Sequence, residues 1–199
     1  MTLEFVDDTS EATWLLTCTT DRTAAEAVLW FGPPTFESYA RVLQLPDPQF
    51  DRQPESEVAD EVIDHMLTDA EVIGRTVAAL RSRPDPRQVL FFLLWEGYPY
   101  RPALPATSRF DVAGLRVCAL AMGALDDWTD WGGMPDGGHE RGFAPALVWP
   151  ADRAWCIAFD VESHFAGVGA SSGAISRLLE TDGLSAERAA YGVPRRTYG

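Results

Sequence analysis

A chain of 199 residues with 46% hydrophobic side chains and a net charge of −14 suffices for one domain with its own core. At that length roughly 70% of the unfolded surface can be buried, so neither a disulfide nor a metal staple is required. A field of this sign repels nucleic-acid phosphates and anionic membranes as partners and attracts a basic protein, with solubility alone as the bland alternative.

The longest apolar run, Val89 to Trp95, falls far short of the ~20 residues of a membrane helix. The opening residues Met-Thr-Leu-Glu-Phe carry neither the cationic nor the apolar stretch of a signal peptide, so the expected location is cytoplasmic. Cys18, Cys118 and Cys156 are far apart and in apolar contexts, which predicts buried free thiols in a reducing compartment. Lysine and asparagine are absent, as a GC-rich codon usage would produce. The charge is uneven: residues 1–80 hold 16 acids and 4 arginines, residues 81–199 hold 14 and 12.

Along the chain, Ala12 to Thr20 is rich in β-branched and aromatic residues and predicts a strand. The short apolar run Ala27 to Phe31 stops at Gly32-Pro33-Pro34, and Phe36 to Leu45 reads as a second strand before a proline-bearing loop, 46–54. Glu55 to Leu67 predicts a helix with Val58, Val62, Ile63, Met66 and Leu67 on its apolar side and Glu57, Asp60, Glu61 and Asp64 on the other. Thr68-Asp69-Ala70-Glu71 is a capping box opening a helix that reaches about Arg83. Gln88 to Trp95 is apolar on both faces, as a central strand is, which also predicts a buried Trp95.

Leu115 to Met122 is a further strand, Gly123 to Trp131 a helical turn, and 132–138 a glycine-rich loop. Ala146 to Trp149 and Ala154 to Val161 form a hairpin around Pro150 to Arg153, with Phe165 to Val168 as a following strand. Ser171 or Ser172 caps a last helix with Gly183 beyond its end, and a frayed tail follows. The expected fold is a single α+β domain over residues 1–199, mostly antiparallel with helices packed on one side. Within it lie an acidic N-terminal region (residues 1–83), a sheet-rich region (residues 84–183) and a short tail (residues 184–199).

Three features carry candidate chemistry. The carboxylates of Glu57, Asp60, Glu61 and Asp64 repel one another at helical spacing, which marks them as presented to a basic partner or simply solvated. Asp126, Asp127, Trp128, Asp130 and Trp131 set two aromatics among three acids, either a recognition surface or two core rings with wet acids beside them. Asp160, Glu162 and His164 alternate as they would on one face of a strand and are candidate metal ligands, with Asp136, His139 or Glu140 as a supplement. Gly167 to Gly173 resembles a phosphate-cradling turn without a following parallel strand. The serines and cysteines lack nucleophile signatures, so neither a catalytic residue nor a cofactor is expected.

The segments 36–43, 90–98, 147–161 and 167–171, above all Trp149-Pro150-Ala151-Asp152-Arg153-Ala154-Trp155, resemble a group of actinobacterial cytoplasmic proteins over residues 28 to 182. The central apolar strand ending in Trp95-Glu96-Gly97 is similar to that of the SUKH superfamily of bacterial immunity proteins. That resemblance implies toxin neutralisation by direct binding. The expected function is therefore a non-enzymatic immunity factor covering the basic active site of a toxin, and the alternative is a metal- or nucleotide-dependent enzyme using residues 132–142 and 160–164.

Overall fold

The computed structural model describes residues 2–59, 62–63, 66–83, 85–98, 103–133, 143–161, 163–193 and 196–199. After strand β1, Glu4–Phe5, the Asp8 carboxylate accepts the Ser10 N–H at 2.9 Å and caps a 3-10 helix, Thr9–Leu16. Ala12 and Leu15 are buried one turn apart. The strand expected over 12–20 is thus helical: a cap and an i, i+3 apolar pair outweigh β-branched content. Asp21 likewise caps α1, Arg22–Phe31, through the Ala24 N–H, and Ala25, Val28 and Leu29 face inward at helical spacing. Gly32, at φ 75°, ends that helix ahead of the two prolines and leads toward β2, Ser38–Leu43.

The helix expected over Glu55 to Leu67 is not one element. A 3-10 turn, Glu55–Glu57, stops at Val58, whose ψ of 135° is extended. Of the expected apolar stripe Val58 is buried and Met66 and Leu67 half-buried, but Val62 and Ile63, in the helical residues 62–63, are 36% and 43% exposed, so the stripe is not one continuous buried face. Like charges at i, i+3 and i+4 disfavour a continuous helix here. Immediately afterwards the capping box forms as the sequence predicts, with Thr68 and Glu71 exchanging bonds across the first turn of α2, Asp69–Leu80.

β3, Leu90–Trp95, is central: it pairs antiparallel with β5, Arg116–Gly123, and with β6, Leu147–Pro150. Leu90, Phe92 and Leu94 enter one core while Phe91 and Leu93 enter the other. Trp95, at the strand's end, is only half-buried and lies under the Arg116 guanidinium at 4.8 Å, which corrects the buried tryptophan expected there. β4, Arg109–Val112, joins β5 through Ala113 and Gly114, both at positive φ. α3, Leu125–Trp128, follows β5. β7, Trp155–Ala158, and β8, Phe165–Ala170, extend the sheet; α4, Ser172–Leu179, is capped by Ser171; β9, Ser185–Ala189, closes the edge.

The strand order is β1-β5-β3-β6-β7-β8-β2-β9, with β4 also on β5 and every named pair antiparallel. The α+β class and the mostly antiparallel sheet are as expected. The helices, however, divide between the faces: α2, α3 and α4 pack on one, and α1 with the first 3-10 helix on the other. Both faces are apolar in β3, so both must be covered. Cys118 and Cys156 are buried, and burial pushes the Cys118 thiol up to about 12; Cys18 is exposed, contrary to expectation. Among the described residues no helix is long and apolar enough to cross a membrane.

Gly167 explains how α1 reaches the sheet. A β-carbon there would lie 1.6 Å from the Trp30 carbonyl oxygen, and one at Gly169 would meet Phe36 at 2.3 Å. These glycines of the 167–173 segment admit the overlying helix and rings. Gly167→Ala is expected to cost about 3 kcal/mol or more in denaturant unfolding. Gly173→Ala, with nothing within 4 Å of the new carbon, should change stability by less than about 0.5 kcal/mol. Equal losses from the two would refute this account.

Candidate partner-binding site

The sequence-marked groups separate in space and role. Trp128 is fully buried: its ring stacks on Phe92, and its Nε1–H donates to the Phe143 carbonyl at 3.1 Å. Asp127 is buried as well and accepts the Ala124 N–H at 2.8 Å. Both belong to the core, which corrects their assignment to a recognition surface. Trp131 is half-buried against Phe5 and Phe143, while Asp126 and Asp130 stay exposed.

The 160–164 stretch is not a strand, since β7 ends at Ala158 and β8 begins at Phe165. Asp160 turns to Arg116 at 2.8 Å, and His164 turns to Asp47 at 2.8 Å. Glu162, Asp136, His139 and Glu140 lie outside the described residues. Among those described, no three His, Cys, Asp or Glu side chains converge as metal ligands. Of the acidic stripe, Glu57 is exposed on its 3-10 turn, and Asp60, Glu61 and Asp64 lie outside the described residues.

What the structure does assemble is an anchored acidic loop. Arg41 on β2 is 1% exposed, and a buried guanidinium must find carboxylates. Asp47, six residues on, takes it bidentately at 2.7 Å on both nitrogens, and Glu187, its register partner on β9, supplies a second carboxylate. The guanidinium also lies 5.0 Å from the Phe165 ring centroid. The Arg41 hydrogen bond holds the Asp47 carboxyl at about 2, with the His164 bond adding to it against a burial cost. Burial pushes the His164 imidazole below its ordinary value and outweighs the opposing pull of Asp47.

The stretch 196–199, expected to fray, fastens the other side of this loop. Arg52 N–H donates to the Thr197 carbonyl at 2.7 Å, Gly199 N–H to Gln53 at 3.1 Å, and the Tyr198 hydroxyl to the Pro46 carbonyl at 2.8 Å. The Tyr198 ring stands edge-on to His164 at 5.3 Å. Between them an open cleft of about 690 Å3 is lined by Arg52, Glu55, Val161, Ser163 and Tyr198. Ser163 Oγ donates to the Phe165 carbonyl at 2.8 Å, so its hydroxyl is turned away from acyl-transfer chemistry.

On this frame Pro48, Gln53 and Val58 are buried, while Phe50, Asp51, Glu55 and Glu57 are exposed. Phe50 is 51% exposed, and Val62 and Ile63 belong to the same acidic stretch. Between residues 47 and 64 the sequence holds seven acids and one arginine.

The depressed His164 gives a pH signature. Its unfolded imidazole, near 6.5, binds a proton that the folded site resists, so this contribution is present above about 6.5 and is lost as pH falls. The melting-temperature gap between wild type and His164→Gln is expected to narrow from pH 7 to pH 5. A gap that stays constant over that range would show that His164 is protonated equally in both states.

No protein-family model, no curated protein and no solved structure matches this chain.

Proposed function

We propose that this chain is a non-enzymatic binding protein of the immunity type, whose 47–63 segment covers the basic active site of a protein toxin. The observation that carries the reading is an acidic loop pinned at both sides, at Asp47 by Arg41 and at 51–53 by residues 197–199, yet offering exposed Phe50 and carboxylates outward. Binding by a loop already held in place avoids much of the ordering cost of association. Its charge speeds encounter with a cationic partner more than it deepens affinity, while Phe50 supplies the desolvated anchor that slows dissociation. The resemblance of the central strand to SUKH immunity proteins points the same way.

The partner this reading expects is a basic toxin encoded beside the chain. Co-expression should protect cells from it, and purified proteins should associate faster at low salt than at high salt. Glu57→Arg with Asp60→Arg is expected to slow association about tenfold, with thermal melting unchanged. Phe50→Ala should weaken affinity roughly 30-fold, or about 2 kcal/mol, mainly through dissociation. Association as fast as wild type in the charge-reversed variant, together with unaltered dissociation in Phe50→Ala, would remove this segment from the interface.

A further inference from the structure

We propose that the depression between the C-terminal end of α2 and the N-terminal end of α4 is a binding site for a phosphate-type oxyanion, free or as the monoester head of a small molecule. It is independent of the 47–63 loop and uses different residues. Arg81, Arg83 and Arg177, three of the sixteen arginines of a strongly acidic chain, line it together with Gln88, Trp155 and Ser171.

The local wiring leaves an acceptor missing. Arg81 Nε donates to Gln88 Oε1 at 2.7 Å, but its Nη2 is buried without a partner among the described residues. Burial also holds the Arg81 guanidinium below its ordinary value, against the pull of Asp85 and Asp126. A buried donor without an acceptor is costly, and since Nη2 is closed off from the depression, it is the charge of the Arg81 guanidinium that acts on an anion there. Arg177 is held in place by donating from Nη2 to the Leu80 carbonyl at 3.2 Å. Arg83 is exposed at the mouth and pairs with no carboxylate among the described residues.

Ser171 Oγ accepts the Ala174 N–H at 3.3 Å and keeps its own proton to donate outward. The two carboxylates that also line the depression hold turns of their own loops: Asp85 accepts the Arg87 N–H at 3.0 Å, and Asp152 the Ala154 N–H at 3.1 Å. The adjacent Ser172 N–H is taken by Glu37 at 3.0 Å, so the arginines, not the helix end, supply the attraction.

Volume selects the ligand. About 220 Å3 accommodates a phosphate with a short substituent and falls below the 300–1,000 Å3 typical of sites for larger ligands, so a nucleotide would not be enclosed. Guanidinium forks match tetrahedral oxyanions bidentately, which favours phosphate over a monovalent halide.

The test is an NMR and melting titration of the full chain with inorganic phosphate and, separately, glycerol phosphate, with chloride at matched ionic strength as reference. Saturable shifts are expected at the amides of Gln88, Trp155 and Ser171. Melting should rise by about 5 °C at a hundredfold excess over Kd. Arg83→Gln, which removes an exposed side chain, should weaken phosphate binding about tenfold, and Arg81→Gln, which removes a second positive charge, should weaken it by a similar factor. Tighter binding of glycerol phosphate identifies the monoester head, and equal binding identifies the free ion; both uphold the site. Shifts no larger than with chloride, or an Arg83→Gln titration identical to wild type, would overturn it, and the latter decides even if Arg81→Gln fails to fold.

Discussion

The structure around the proposed interface depends on one buried charge. Arg41 sits within β2, and its guanidinium is closed off from water. Leaving such a group unpaired would cost several kcal/mol, so its surroundings are organised to neutralise it. Asp47 is drawn back over the strand it has just left, and Glu187 is drawn in from β9 across the sheet edge. His164 then bonds the same Asp47 oxygen that receives Arg41, and Tyr198 packs on the histidine while bonding Pro46. One guanidinium thereby couples the loop, the edge strand and the residues at 197–199.

That coupling gives the loop its character. A stretch with two prolines and many like charges has little reason to adopt one conformation alone. Here its backbone is fixed from beneath by Asp47 and from the side by the bridge between Gln53 and Tyr198. Fixing the main chain from within leaves side chains such as Phe50 and Glu57 directed to solvent, which is the division of labour expected of a recognition loop on a rigid scaffold.

How much of this can be read in the sequence follows from the range of each interaction. β3 is legible because both its faces are apolar, and α2 because Thr68 and Glu71 form a local capping box. The signal for α1 is present, Asp21 as a cap with Ala25, Val28 and Leu29 behind it, but the apolar run at its end obscures it. The β-branched content of 12–20 hides the first 3-10 helix. Trp128 resists assignment because a tryptophan among acids suits surface and core equally; only the Phe143 carbonyl, fifteen residues away, decides it. The Arg41 cluster is beyond reach altogether, because its long-range partners lie 117 to 146 residues apart in the chain and no periodicity records them.

The same pairing logic locates the acidic surplus. Elsewhere arginines meet carboxylates across the fold: Arg116 with Asp160, Arg109 with Glu96, Arg153 with Glu11. Each pair offsets charge where two elements meet. Between residues 53 and 74 the sequence has neither arginine nor lysine, and the first cation beyond it, Arg75, pairs with Glu71. A charge excess serving solubility alone would be spread over the surface. Concentration in residues 47–64, a stretch anchored at Asp47 and at 51–53 and bearing an exposed phenylalanine, is what the proposed cationic partner would complete.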